Sequence, residues 1–162
     1  MYPMSKITVT ETINASIDRV FAIASDIPNA ESFITSIESI ETLEDAAPAP
    51  DNLGNVGLGY TWRETRIMFG HTATEDMSIT KWSPPTSYTV EARSHGAHYL
   101  SDFTFDRIDD QNTRITMSFN ATPETFLAKV MTKLFSFMNK KIAKCLSDDL
   151  KDIKSTAESE NA

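Results

Sequence analysis

Lys6-Ile7-Thr8-Val9-Thr10-Glu11-Thr12-Ile13-Asn14-Ala15-Ser16-Ile17-Asp18-Arg19-Val20-Phe21 changes its period part-way through. Up to Ile13 it alternates: Ile7, Val9 and Ile13 share one side, and Thr8, Thr10 and Thr12 the other. A period of two is that of a strand with one buried face. After Ala15, the residues Ile17, Val20, Phe21 and Ala24 fall at helical spacing, and Ser16 stands where an N-cap belongs. Asp26-Ile27-Pro28-Asn29 interrupts that helix, a second short helix carries Phe33 and Ile34, and a strand runs over Ile37 to Leu43. The chain therefore opens as strand, two short helices, strand.

Outward from this opening, Asp45 to Gly59 holds Pro48, Pro50, Gly54, Gly57 and Gly59. A loop of that length is a gate over a pocket or a surface excursion. From Tyr60 to Ala121 the pattern is a strand meander with turn signals at Gly70-His71, Ser83-Pro84-Pro85, Gly96-Ala97 and Asp109-Asp110-Gln111-Asn112. A type II′ turn at Gly70-His71 pairs Trp62 with Ile79, Glu64 with Met77, Arg66 with Glu75 and Met68 with Ala73. The same turn at Gly96-Ala97 pairs Tyr88 with Phe105, Val90 with Phe103 and Ser94 with Tyr99. Ile115, Met117 and Phe119 share a face of the last strand. The prediction is a single curved sheet with one apolar face.

Thr122-Pro123-Glu124 reads as the start of a long helix. Its apolar stripe includes Leu127, Val130, Met131, Leu134, Phe135, Met138, Ile142, Cys145, Leu146, Leu150 and Ile153, with lysines on the other side. From Ser155 the small polar residues predict fraying. The expected organisation is one domain over 1–162, with a core of about 6–154 and a tail over 155–162.

These elements resemble the START-like (SRPBCC) superfamily, and more closely its polyketide cyclase/dehydrase and lipid-transport branch. The resemblance is carried by Ile13-Asn14-Ala15-Ser16-Ile17-Asp18-Arg19-Val20-Phe21, by Asp26-Ile27 through Phe33, and by Trp62-Arg63-Glu64-Thr65-Arg66 with Gly70. Pro84-Pro85 and Thr113-Arg114-Ile115-Thr116 add to it, so that it spans about Lys6 to Ile153. It implies an α+β helix-grip fold, in which a curved antiparallel sheet wraps around a long C-terminal helix. It also implies a cavity between the two that holds an apolar small molecule. Since the superfamily shares no catalytic signature, fold alone does not assign a reaction.

Glu64, Arg66 and Glu75 fall on the inner face of the sheet in this register. As chemistry, they are polar anchors for a ligand or an acid/base pair for enolisation, aldol closure or dehydration. As architecture, they are a cross-strand ion pair that needs no ligand. The expected lining is Trp62, Met77, Tyr88, Tyr99 and Phe103, with Met117, Met131, Phe135 and Met138, and the three charged residues form its polar end. His95 and His98 face each other across a turn on the outer side, without a third ligand, so no metal site is expected. Cys145, at helical spacing with Ile142 and Leu146, reads as core. No phosphate loop, dinucleotide fingerprint or nucleophile elbow occurs, and no cofactor is expected.

Apolar residues make up 40% of the 162 and charged residues 23%, a globular mix. Asp and Glu outnumber Lys and Arg by 23 to 15, a formal net charge of −8, which argues against nucleic acid as a partner. One cysteine, no apolar leader and no membrane span lead to the expectation of a cytoplasmic protein, monomeric or homodimeric. The first functional reading is a carrier for a lipid, polyketide-like or aromatic molecule. The second is a cofactor-independent cyclase or dehydratase, with Glu64 or Glu75 as base and Arg66 or a tyrosine stabilising an enolate. The third is a stress or co-chaperone-like interaction module with a collapsed cavity.

Overall fold

The computed structural model describes residues 5–135 and 138–159, with the backbone alone for Ser5 and for residues 131–135. The elements run β1 Ser5–Ile13, α1 Ile17–Ala24, a 3-10 helix Ile27–Ser32, β2 Ile37–Glu44, β3 Thr61–Met68 and β4 His71–Ser83. Then come β5 Ser87–Ser94, β6 Ala97–Asp109, β7 Asn112–Pro123, α2 Phe126–Phe135 and α3 Asn139–Ser159. All seven strands form one antiparallel sheet in the order β1-β7-β6-β5-β4-β3-β2. Its concave face is covered by the C-terminal helices, which is the helix-grip arrangement.

Ser16 caps α1 as its sequence position implies, its side chain accepting from the Arg19 amide at 3.4 Å. Val20 and Phe21 then point inward. Phe21 meets the rings of Trp82, Tyr88 and Phe105 at 5.1, 5.8 and 5.1 Å between centroids, filling one end of the sheet's concave face. Edge-to-face packing of this kind adds to the stabilisation from burial alone.

Both hairpins turn one residue earlier than Gly-first turns would place them, which shifts each register by two. Met68 pairs with His71, so the first turn is Phe69-Gly70; Ser94 pairs with Ala97, so the second is His95-Gly96. Positive φ at both central positions (54° and 77°, then 52° and 75°) marks type I′ geometry, with each glycine second. Trp62 consequently faces Met77, Glu64 faces Glu75 and Arg66 faces Ala73. Tyr88 likewise faces Phe103, Val90 faces Ser101 and Ala92 faces Tyr99. The expected Arg66–Glu75 and Ser94–Tyr99 pairs do not form. A two-residue shift returns every side chain to its original face, so the inner set is unchanged while the partners differ.

Three further expectations differ from the structure. β7 continues through Pro123, and α2 begins at Phe126, capped by Thr125, whose Oγ1 accepts from the Ala128 amide at 3.1 Å. The Glu124 amide donates to the Gly96 carbonyl at 2.7 Å, an anchorage to the β5–β6 turn that displaces the helix start from Thr122. Beyond Ser155, α3 continues to Ser159 instead of fraying: Ala157 is fully buried, and Glu158 accepts from the Asn14 amide at 2.9 Å. Finally, of the two readings of the Asp45–Gly59 segment, a gate or a surface excursion, the gate finds no support, since none of its residues lines the pocket on the concave face. Ala46 and Val56 are buried in the core, and the Asp51 carbonyl accepts from the Trp82 indole at 2.9 Å.

Candidate functional site

Between the concave sheet and the C-terminal helices lies a pocket of about 1080 Å³. Two rows of cross-strand neighbours run over its wall. One holds Trp62, Met77, Ala92, Tyr99 and Ala121, and the other holds Glu64 opposite Glu75 on β3 and β4 and Ala97 opposite Pro123 on β6 and β7. Tyr88, Phe103 and Met117 also line it, and Tyr88 stacks on Phe103 at 4.6 Å. Opposite the sheet, α3 contributes Ile142, Leu146, Asp149 and Ile153. Phe69 and His95, the two non-glycine residues with positive φ among the described residues, lie on the lining together with Leu127, Ala128 and Lys129 of α2.

Of the residues singled out in the sequence, Trp62, Glu64, Arg66, Glu75 and Met77 line this pocket, as do Tyr88, Tyr99, Phe103 and Met117. Met138 is half-buried and lies off the lining. The side chains of Met131 and Phe135 are outside the described residues. His95 sits within its turn on the pocket side, not facing His98. His98 instead contacts Glu91 on the outer face, with Nε2 at 2.6 Å from the carboxylate. Among the described residues no group of three or more His, Cys, Asp or Glu is arranged to hold a metal ion.

The polar end is a charge triad. Arg66 donates from Nε to Glu64 Oε1 at 2.7 Å and from Nη1 to Asp149 Oδ2 at 2.9 Å. Glu64 also accepts from the Trp62 indole at 3.3 Å, and Asp149 from the Ser36 hydroxyl at 3.1 Å. Burial opposes the charge on Arg66, but Glu64 and Asp149 outweigh it and hold the guanidinium above its ordinary range. Burial also pushes the Asp149 carboxyl up, against the pull of Arg66 and Ser36. With two carboxylates on one guanidinium, this end of the pocket carries excess negative charge when both are ionised.

Asp149 was not among the sequence candidates, yet its signal was present. It follows Ile142 by seven residues and Leu146 by three, so it lies on the apolar stripe of α3, where an acid needs a buried partner. Glu75 has lost its expected cation. Its carboxylate accepts from Ser94 Oγ at 3.0 Å, and no ion pair to it forms among the described residues. Tyr99 lies nearby: burial raises its phenol, and the charge of Glu75 raises it further. Tyr88 is engaged elsewhere, donating to the Ala24 carbonyl at 2.9 Å, and burial holds it far above the usual phenol range.

The family model for polyketide cyclase / dehydrase and lipid transport matches residues 4–158. The chain belongs to that family. Solved structures share its fold. TTHA0849 from Thermus thermophilus superposes with a TM-score of 0.75 at 12% identity, covering 98% of this chain and 100% of that one. The Zhui aromatase/cyclase from Streptomyces sp. R1128 gives 0.66 at 11% identity, covering 97% and 98%. A START superfamily protein from Mycobacterium smegmatis gives 0.63 at 14% identity, covering 90% and 95%. At these identities the likeness is one of fold. No curated protein sequence matches the chain. Among the described residues no helix is long and apolar enough to cross a membrane.

Proposed function

We propose that this family member binds and carries a hydrophobic small molecule, of lipid, polyketide-like or aromatic character, in the pocket between sheet and C-terminal helices, in the cytoplasm and without a cofactor. The observation that carries the reading is the pocket itself: about 1080 Å³, with aromatic and aliphatic walls and a few polar groups at one end. Small-molecule sites have this composition, the apolar wall contributing affinity and the convergent polar groups setting orientation. Trp62, Met77, Tyr99, Phe103 and Met117 are the apolar contacts, with Glu64, Arg66 and Glu75 as polar anchors.

Native mass spectrometry of freshly purified protein, followed by extraction and by titration with N-phenyl-1-naphthylamine, tests this. A co-purifying lipid or aromatic compound, or saturable uptake of the probe, supports the carrier reading. A protein that takes up no apolar probe overturns it.

A second reading, a cyclase or dehydratase, is favoured by one observation: Glu75 lies on the pocket wall without an ion-pair partner among the described residues, beside the raised phenol of Tyr99. A carboxylate so placed can remove a proton from a carbon next to a carbonyl, while Tyr99 donates to the resulting enolate oxygen. Turnover of a poly-β-ketone mimic that is lost in both Glu64→Gln and Glu75→Gln would establish it. Binding without turnover would leave the carrier.

A further inference from the structure

We infer that the ligand of this pocket is amphiphilic of one particular kind: an apolar or aromatic body bearing a hydrogen-bond donor, best a protonated amine, that seats on Glu75. The inference rests on the pocket being a binding site and adds the chemical class of what it binds.

The sheet places Glu75 opposite Glu64, and like charges directly across a strand pair destabilise it. Glu64 is compensated by Arg66, and Arg66 is already shared with Asp149. Glu75 accepts from the Ser94 hydroxyl, which brings no charge. The ion pairs formed by the described residues leave it out. The half-buried carboxylate therefore stands on an apolar wall, beside a like charge, without a salt bridge among the described residues.

The space around it has a matching shape. Ala73 and Met77 flank Glu75 on its own strand, and Ala92 and Ala97 stand on the next two strands. Three of these four are alanines, so the wall is low around the carboxylate and leaves room for a ligand headgroup. Tyr99 lies close enough to feel the charge of Glu75, and its phenol stays protonated. A primary ammonium presents three donors and no acceptor, which suits a carboxylate with free lone pairs. Seated at Glu75, a ligand carboxylate would meet the like charges of Glu75 and Glu64, with Arg66 already engaged by Glu64 and Asp149; the basic lining residues Lys129 and His95 belong to α2 and to the β5–β6 turn.

The experiment uses three probes on one body: 2-(2-naphthyl)ethylamine, 2-(2-naphthyl)ethanol and 2-naphthylacetate. Each is titrated calorimetrically into the full chain and into Glu75→Gln. One charge-assisted hydrogen bond corresponds to roughly tenfold in affinity, so the amine should bind at least about tenfold more tightly than the acetate, with the alcohol between. Glu75→Gln should bring amine and alcohol within about threefold of each other. The variant keeps an acceptor for Ser94 and removes a like charge from opposite Glu64, so it is expected to fold.

Acetate binding as tightly as amine overturns the inference and leaves the pocket reading standing. An amine preference that persists in Glu75→Gln also overturns it, since it would then belong to the protein's general negative charge. If none of the three binds, the pocket reading itself fails.

Discussion

Arg66 bonds to Glu64 and Asp149 with 17% of its side chain exposed, so its removal leaves two buried carboxylates beside each other. Breaking such a buried pair costs roughly 3–5 kcal/mol, and Arg66→Ala is expected to lose that much in urea unfolding. A loss below about 1 kcal/mol would describe an exposed pair and would remove the triad from the core. Asp149 adds a pH dependence. Its carboxyl is raised by burial, so between the ordinary aspartate value of 3.8 and its folded value the native state binds more protons than the unfolded state. Over that range this group makes stability fall as pH rises. The stability of wild type minus that of Asp149→Asn should therefore decline as pH rises above about 4; a flat difference would show that the folded and unfolded carboxyl titrate alike. Glu64 and Arg66 were legible as inner-face residues from alternation alone. Asp149 was hidden because only apolar residues were assigned to the inner stripe of the last helix, although its phase was that of Leu146 and Ile153.

Turn chemistry, at the level of elements, explains why the strand faces were legible and the pairings were not. A pleat has period two, so alternation assigns a face whichever even register is chosen. The register depends on which residues occupy the turn. Phe69 is a poor candidate for the first position of a type I′ turn, because a bulky side chain at φ 54° is strained. Such a conformation costs on the order of 1–3 kcal/mol and persists where the surroundings impose it. Phe69→Asn, a residue suited to that position, should thus raise stability by about 1 kcal/mol in thermal unfolding. If Phe69 is retained for the pocket it lines, the same variant should bind N-phenyl-1-naphthylamine more weakly. A stability loss would mean that the ring's contacts outweigh its backbone strain. The start of α2 was equally hard to read, since Thr122-Pro123 carries every local mark of a helix start. The bond from Glu124 to Gly96, on a distant hairpin, has no local signature.

Across the whole molecule, opening and closing elements are tied by polar contacts from α3. Lys154 reaches Glu11 at 3.4 Å and the Thr12 carbonyl at 2.9 Å, the Arg19 guanidinium reaches the Ala157 carbonyl at 2.9 Å, and Asp149 reaches β3. The triad contact differs from the others in bordering the pocket, and its consequence concerns wetting. An enclosure walled only by apolar groups stays dry, and its walls gain by drawing together. Ionised groups set into one wall oppose both tendencies, because their hydration is costly to remove. At about 30 Å³ per molecule, a pocket of 1080 Å³ has room for on the order of 35 waters, which an incoming guest would displace. Replacing the charges by shape-matched neutral groups should then trade capacity for rigidity. The combination Glu64→Gln, Arg66→Met and Asp149→Leu, with Gln keeping an acceptor for the Trp62 indole, should unfold at equal or higher urea, by up to about 4 kcal/mol. The same variant should take up less N-phenyl-1-naphthylamine per chain. A protein that becomes sturdier as it holds less would show that its hydrated hollow is sustained by charge.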